Sequence, residues 1–156
     1  MDQVIEHVSG PLIVLEDVAK VLKPGGKLIL STPNAKGWGV IFFGRKWVHW
    51  HTPYHLQIFS NQSLKQHAEK AGFVLESSKT ITNSAWLYFQ WIHLVTRPEY
   101  GEVSNFWRSD IPRSFGQKLM IKLINVMHQL KVNHLITRVF DGLNLGDNRI
   151  YFLRKI

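Results

Sequence analysis

The stretch from Val21 to Asn34, V-L-K-P-G-G-K-L-I-L-S-T-P-N, leaves the chain few folds to choose from. Pro24 cannot extend a helix that ends at Leu22. Gly25-Gly26 can take the positive φ values of a tight reversal, so the stretch reads as a helix stop followed by a turn. The run Lys27 to Thr32 is short and nearly continuously apolar, which predicts a strand covered on both faces in a mostly parallel sheet. Such a strand needs neighbouring strands and two helical layers, and the rest of the chain has to supply them.

On the amino-terminal side, Val4, Ile5 and Val8 surround Glu6-His7, and Gly10-Pro11 starts a helix, because proline at the first helical position gives up an N–H that has no partner there. Leu12, Leu15, Val18, Ala19 and Leu22 recur at helical spacing and lead into the Pro-Gly-Gly turn. From Pro33 to about Phe59 the sequence reads as a loop-rich lid carrying Trp38, Phe42, Phe43, Trp47, Trp50 and Tyr54. Gly37-Trp38-Gly39 has no capped helix behind it and reads as a loop glycine pair.

Ser60 is placed as the N-cap of a helix with Leu64, Ala68 and Ala71 on one face, ended by Gly72. A strand follows over Phe73 to Ile81, and Ser84 caps a largely apolar helix over Ala85 to Thr96. Pro98 to Arg113 reads as a loop. A second amphipathic helix carries Met120, Leu123, Ile124, Met127 and Leu130, and a short helix lies near Leu135 to Phe140. Gly146-Asp147 makes a turn, and Ile150 to Leu153 reads as an internal strand, apolar on both faces.

At 156 residues and 45% hydrophobic content the chain is long enough for one domain with a real core. It contains no cysteine, which removes disulfides, thiolate metal sites and cysteine nucleophiles and suits a reducing cytoplasm. The net charge of +8 is scattered, with no basic run longer than two residues. The apolar stretch from Ala85 to Val95, interrupted by Gln90 and His93, is far shorter than a bilayer span. The expected protein is cytoplasmic, or bound at the surface of a membrane.

Taken in order, E-H-V, a helix, L-K-P-G-G-K-L-I-L-S-T-P-N, a lid ending W-H-T-P-Y-H-L-Q-I-F-S, a helix, A-G-F and a terminal strand resemble the second half of a class I S-adenosylmethionine-dependent methyltransferase. The group most resembled is that of small-molecule enzymes such as the ubiquinone-biosynthesis O-methyltransferases. The resemblance implies an α/β fold containing the last three strands of a Rossmann-like sheet in the order fifth, seventh, sixth. It divides the chain into an acceptor-side core over residues 1–83 with its lid at 33–59, a helical insertion at 84–148 and a terminal strand at 149–156. The family's Gly-rich cofactor turn is missing ahead of Met1, so the cofactor is expected to be S-adenosylmethionine with its main binding residues absent. An open strand edge is then expected, covered by a homodimer partner or a separate amino-terminal polypeptide, unless the gene itself is truncated.

The same resemblance implies site residues. His7, in the Glu-His pair beside the transferred methyl, is the expected base for the acceptor's proton; the alternative is an N–H donor to a backbone carbonyl. Glu6 orients His7 or caps the next turn. Ubiquinone-type enzymes carry Glu-x-x-Glu-His for a divalent metal, where this chain has Gln3, Glu6 and His7, and the lost carboxylate argues against a metal. His49, His51 and His55 have spacing that allows zinc on an extended segment, but they coincide with the lid motif, and no metal centre is expected. His55 is then a lid anchor or substrate contact. Trp50 and Tyr54 form walls for an aromatic or prenylated acceptor, or simply the core of the lid. Asn34, at a strand end facing the ligand crevice, contacts substrate or forms a turn.

The expected function is methyl transfer to a small-molecule or lipid-precursor acceptor, inactive without the cofactor-binding half. The alternative is a non-catalytic module derived from a methyltransferase, whose basic, Trp-rich helices bind a membrane surface or protein partner. No nucleic acid partner is expected, because no RNA-binding motif is present.

Overall fold

The computed structural model describes residues 1–51, 53–98 and 110–156. The chain forms two units, Met1–Thr82 with Phe140–Ile156, and Asn83–Val139. The helical unit thus stops at Val139, short of residue 148.

In the first unit, helix α1 (Pro11–Val21) starts on its proline and ends where Leu22 turns extended, as its sequence dictates. Of the two turn glycines, Gly25 takes the positive φ, +76°. Strand β1 (Lys27–Pro33) follows, then a short helix α2 (Trp38–Phe43), helix α3 (Asn61–Lys70) and strand β2 (Phe73–Thr80). In α3 the Ser60 hydroxyl accepts from the Ser63 N–H while the Ser63 hydroxyl accepts from the Ser60 N–H, a reciprocal cap. Gly72, at φ +85°, takes the left-handed position that ends the helix.

The last strand, β3 (Asn148–Lys155), lies between the other two and runs antiparallel to both, giving the order β1-β3-β2. This is the fifth-seventh-sixth order expected. The register places Leu28 opposite Leu153 and Leu30 opposite Tyr151, and Leu75 also faces Leu153. These side chains share one face with Leu15 and Ala19 of α1 and with Leu64, Ala68 and Phe73. Each fully buried leucine there contributes about 1.5–3 kcal/mol.

Two expectations about β1 need correction. Both flanking helices lie over the same face, and on the other Ile29 is 50% exposed, so at its start β1 is covered on one side only among the described residues. Its outer edge is not bare either. Met1–Gln3 runs parallel to it, with the Ser31 N–H donating to the Met1 carbonyl at 3.0 Å and the Gln3 N–H to the Ser31 carbonyl at 3.1 Å.

The lid also differs from the expected loop. Besides α2 it contains 3-10 turns at Gly44–Lys46 and Val48–Trp50. The helix was illegible because no residue near Gly37 caps it. Its amide is instead met by Asp147, whose carboxylate accepts from the Gly39 N–H at 2.6 Å and from the Trp47 indole N–H at 3.3 Å. A Cβ on Gly39 would run into both partners, so the glycine makes room for the carboxylate. Trp38 stacks flat on Phe140, with ring centroids 4.5 Å apart.

The second unit contains helices α4 (Ser84–Val95), α5 (Phe115–Gln129) and most of α6 (Val132–Gly142). Asn83, not Ser84, caps α4, accepting from the Ala85 N–H. The Tyr88 hydroxyl donates to Asn125 at 2.9 Å and the Trp91 indole N–H to Asn133 at 3.0 Å, which fix α4 against α5 and the start of α6. Most of the expected loop over 98–113 lies outside the described residues; Pro98 and 111–113 are irregular. Among the described residues no helix is long and apolar enough to cross a membrane.

Candidate active site

The carboxyl end of β1 is where an open α/β sheet presents its ligand crevice. A 3-10 turn, Ile5–His7, lies beside it, held by Ile5, which is wholly buried in the core. Glu6 is also wholly buried. Its Oε2 accepts from the Thr32 hydroxyl at 3.0 Å, while its Oε1 has no hydrogen-bond partner among the described residues. A buried carboxylate oxygen left this way invites a donor or a cation.

The far end of the lid closes onto this turn. The Leu56 N–H donates to the Glu6 carbonyl at 2.9 Å, and the Gln57 amide donates to the carbonyls of Ile5 and Val8. His7 and His55 meet edge to face, with ring centroids 4.6 Å apart. Nδ1 of His7 lies 2.9 Å from the Tyr54 carbonyl, and Nδ1 of His55 lies 2.6 Å from the His49 carbonyl. A carbonyl only accepts, so both Nδ1 atoms donate, and in the neutral tautomer of each ring the lone pair lies on Nε2. His51 packs on His55 and Tyr54, and desolvation, then the charges of His55 and His7, hold it below the usual imidazole range.

One ligand atom from each of Glu6, His7 and His55 lies within 4.8 Å of the others. A carboxylate with two imidazoles is a donor set that borderline divalent cations accept. The sequence reading, which expected no metal, did not bring His55 to Glu6. Gln3, the first position of the motif, turns away: at φ +51° its amide donates to the Ser31 hydroxyl and to Asn148. His49, His51 and His55, whose spacing would have allowed zinc on an extended segment, belong instead to a 3-10 turn that ends in left-handed His51 and to the residues after it. His49 is buried against Trp47, and desolvation lowers it to about 3.

Tyr54 stands at the rim, 65% exposed, with its ring against His51. Trp50 is placed in the lid's own packing, its indole N–H donated to the Gly44 carbonyl and its ring edge to face with Trp47. Asn34 is buried, with its Nδ2 donating to the Gly146 carbonyl and its Oδ1 accepting from the Lys36 N–H, so its amide braces the loop. Asp147, which the sequence offered only as a turn residue, anchors the lid. Burial raises it to about 6 against the opposing hydrogen bonds from Gly39 and Trp47.

The residues described do not form a cradle for S-adenosylmethionine. The chain's one Gly-x-Gly, Gly37-Trp38-Gly39, is filled by Asp147 and Trp47, which leaves its backbone no room to approach a ligand.

A family model described as a methyltransferase domain matches residues 1–78. No curated protein matches the chain. Among solved structures, a candidate sarcosine dimethylglycine methyltransferase from Galdieria sulphuraria is 14% identical, with a TM-score of 0.47 over 99% of this chain and 51% of its own. The [4+2]-cyclase SpnF is 16% identical, with a TM-score of 0.48 over 99% of this chain and 47% of its own. A phosphoethanolamine N-methyltransferase 2 from Haemonchus contortus, in complex with phosphomonomethylethanolamine and S-adenosylhomocysteine, is 13% identical, with a TM-score of 0.42 over 99% of this chain and 32% of its own. The chain therefore spans about half the length of the first two and a third of the other.

Proposed function

The chain belongs to the methyltransferase-domain family, and from that premise we propose that it is the acceptor side of an S-adenosylmethionine-dependent methyltransferase acting on a small molecule or lipid precursor. The observation that carries this reading is the His7 ring, pinned by its Nδ1 to the Tyr54 carbonyl, with one ligand atom each of His7, Glu6 and His55 within 4.8 Å of one another. His7 then takes the proton from the acceptor's hydroxyl or amine as that atom becomes a nucleophile. The resulting imidazolium is stabilised by the Glu6 carboxylate, which Thr32 and burial hold in place. His51 and Tyr54 form the rim against which an aromatic or prenylated acceptor packs, and the lid segment at His55 limits water. The methyl donor is bound by groups other than those described.

Calorimetric titration with S-adenosylhomocysteine tests this. The expected result is no saturable heat with the 156 residues alone, and a binding isotherm when a donor-binding segment of the family is joined ahead of Met1. Tight binding by the 156 residues alone would overturn the reading.

A further inference from the structure

The helix α5 is built inside out for a soluble helix. Its inward face is fixed by Ile124 (5% exposed), by Asn125 receiving the Tyr88 hydroxyl, by Gln117 donating to the Val95 carbonyl, and by His128 against the Tyr88 ring. The apolar residues Phe115, Leu119, Leu123 and Val126, with Leu130 at the C-cap, recur at spacings of four, four, three and four, which at about 100° per residue puts them on one stripe. That stripe faces solvent: Phe115 is 84% exposed, Leu119 58% and Leu130 71%. An exposed stripe this long demands an occupant.

The charge around it says which. Residues 111–140 contain no Asp or Glu, while Arg113, Lys118, Lys122, Lys131 and Arg138 are all cationic. Lys118 and Lys122 are exposed and flank the stripe, so their stems can lie along it while their ammonium groups reach outward. A second copy laid on the same stripe would set its own lysines against these, with no carboxylate on 111–140 of either copy to pair with them. An anionic headgroup layer supplies that countercharge and also takes up the apolar side chains. The sequence offered basic, Trp-rich helices for a membrane surface without naming one; in the largely apolar α4 Leu87 and Ile92 are buried, whereas α5 carries its apolar stripe outward.

We propose that α5 is an interfacial helix that docks the protein on an anionic bilayer, with its axis in the membrane plane and the Phe115-to-Leu130 stripe sunk among the acyl chains. At 15 residues it lies on the surface over roughly 22 Å and does not cross it. Beside the stripe, α4 and α5 enclose an apolar groove of about 220 Å³ lined by Trp91, Leu94, Val95, Met120, Leu123 and Met127, which gives the acyl region further apolar wall. This inference stands apart from the reading of the His7 site, since neither uses the other's residues.

Vesicle flotation tests it with the full chain. The protein is expected to float with phosphatidylcholine vesicles containing phosphatidylserine and to remain behind with phosphatidylcholine alone, and high salt should release it. The double variant Phe115→Ser/Leu119→Ser, at positions outside the helix packing and therefore compatible with folding, should lower bound protein by roughly tenfold, as should Lys118→Glu/Lys122→Glu. Absence of flotation at low salt overturns the proposal, as does flotation that the apolar substitutions leave unchanged. A lipid-free dimer, seen by sedimentation velocity and lost in Phe115→Ser/Leu119→Ser, would assign the stripe to self-association and overturn it as well.

Discussion

The backbone carbonyl of Tyr54 selects the tautomer of His7: at 2.9 Å from Nδ1 it places a proton on that nitrogen, so that in the neutral ring the lone pair lies on Nε2. The geometry needs nothing from the Tyr54 side chain. Tyr54→Phe should therefore preserve the His7 tautomer, read from imidazole ¹⁵N shifts. His7→Gln should lower kcat for methyl transfer, in a donor-competent form of the protein, by about 10²–10⁴-fold, the range general-base catalysis supplies. A loss of less than about tenfold would reduce His7 to a structural donor.

Thr32 and Glu6 form a second pair whose consequences can be measured. Thr32→Val removes the hydroxyl that donates to Glu6 Oε2, leaving a wholly buried carboxylate with neither oxygen bonded. The expected cost is about 1–3 kcal/mol in urea unfolding, with the m-value unchanged. Adding Glu6→Gln to that variant should recover part of the loss by removing the buried charge.

Asp147 makes the lid's stability depend on pH. Its folded pKa is raised from 3.8 to about 6, so this group's contribution is fully present below about 4 and is lost as pH rises through about 6. Asp147→Asn cannot ionise, and the stability difference between the native protein and this variant should move by up to about 3 kcal/mol between pH 4 and pH 7, with the native protein relatively better at the acid end. Urea midpoints at the two pH values measure it; a pH-independent difference would mean that Asp147 is already ionised at pH 4.

Two substitutions in the first unit should separate local from long-range stabilisation. Ser60→Ala removes the α3 cap and should cost about 1 kcal/mol. Leu153→Ala opens a cavity between Leu28 and Leu75 in the centre of the sheet and should cost about 2–5 kcal/mol. Thermal or urea unfolding gives both values.

These contrasts mirror what the sequence could disclose. Pro11, Ser60 and Gly72 act on backbone groups within four residues of themselves, so their helices were readable one residue at a time. The order β1-β3-β2 was readable only through resemblance, because nothing local tells a last strand that it belongs in the middle. Asp147 and Gly39 are 108 residues apart, and the helix they start has no cap of its own, so α2 read as loop. His55 reaches Glu6 and His7 through lid hydrogen bonds that no spacing rule foretells. The amphipathic pattern of α5 was visible, but a pattern alone does not say which side meets the protein. It took Asn125, Gln117 and His128 turned inward to show that the apolar side is the outer one.

The central place of β3 has a consequence for how the protein is made. The first and second strands can emerge from the ribosome, and their helices can form, while β1 has only the short Met1–Gln3 segment along its edge and β2 has no strand beside it, since among the three strands each is hydrogen-bonded only to β3. Residues 148 to 155 act as a zip drawn in last, and until they arrive Leu28, Leu30 and Phe73 stay accessible to chaperones and to other nascent chains.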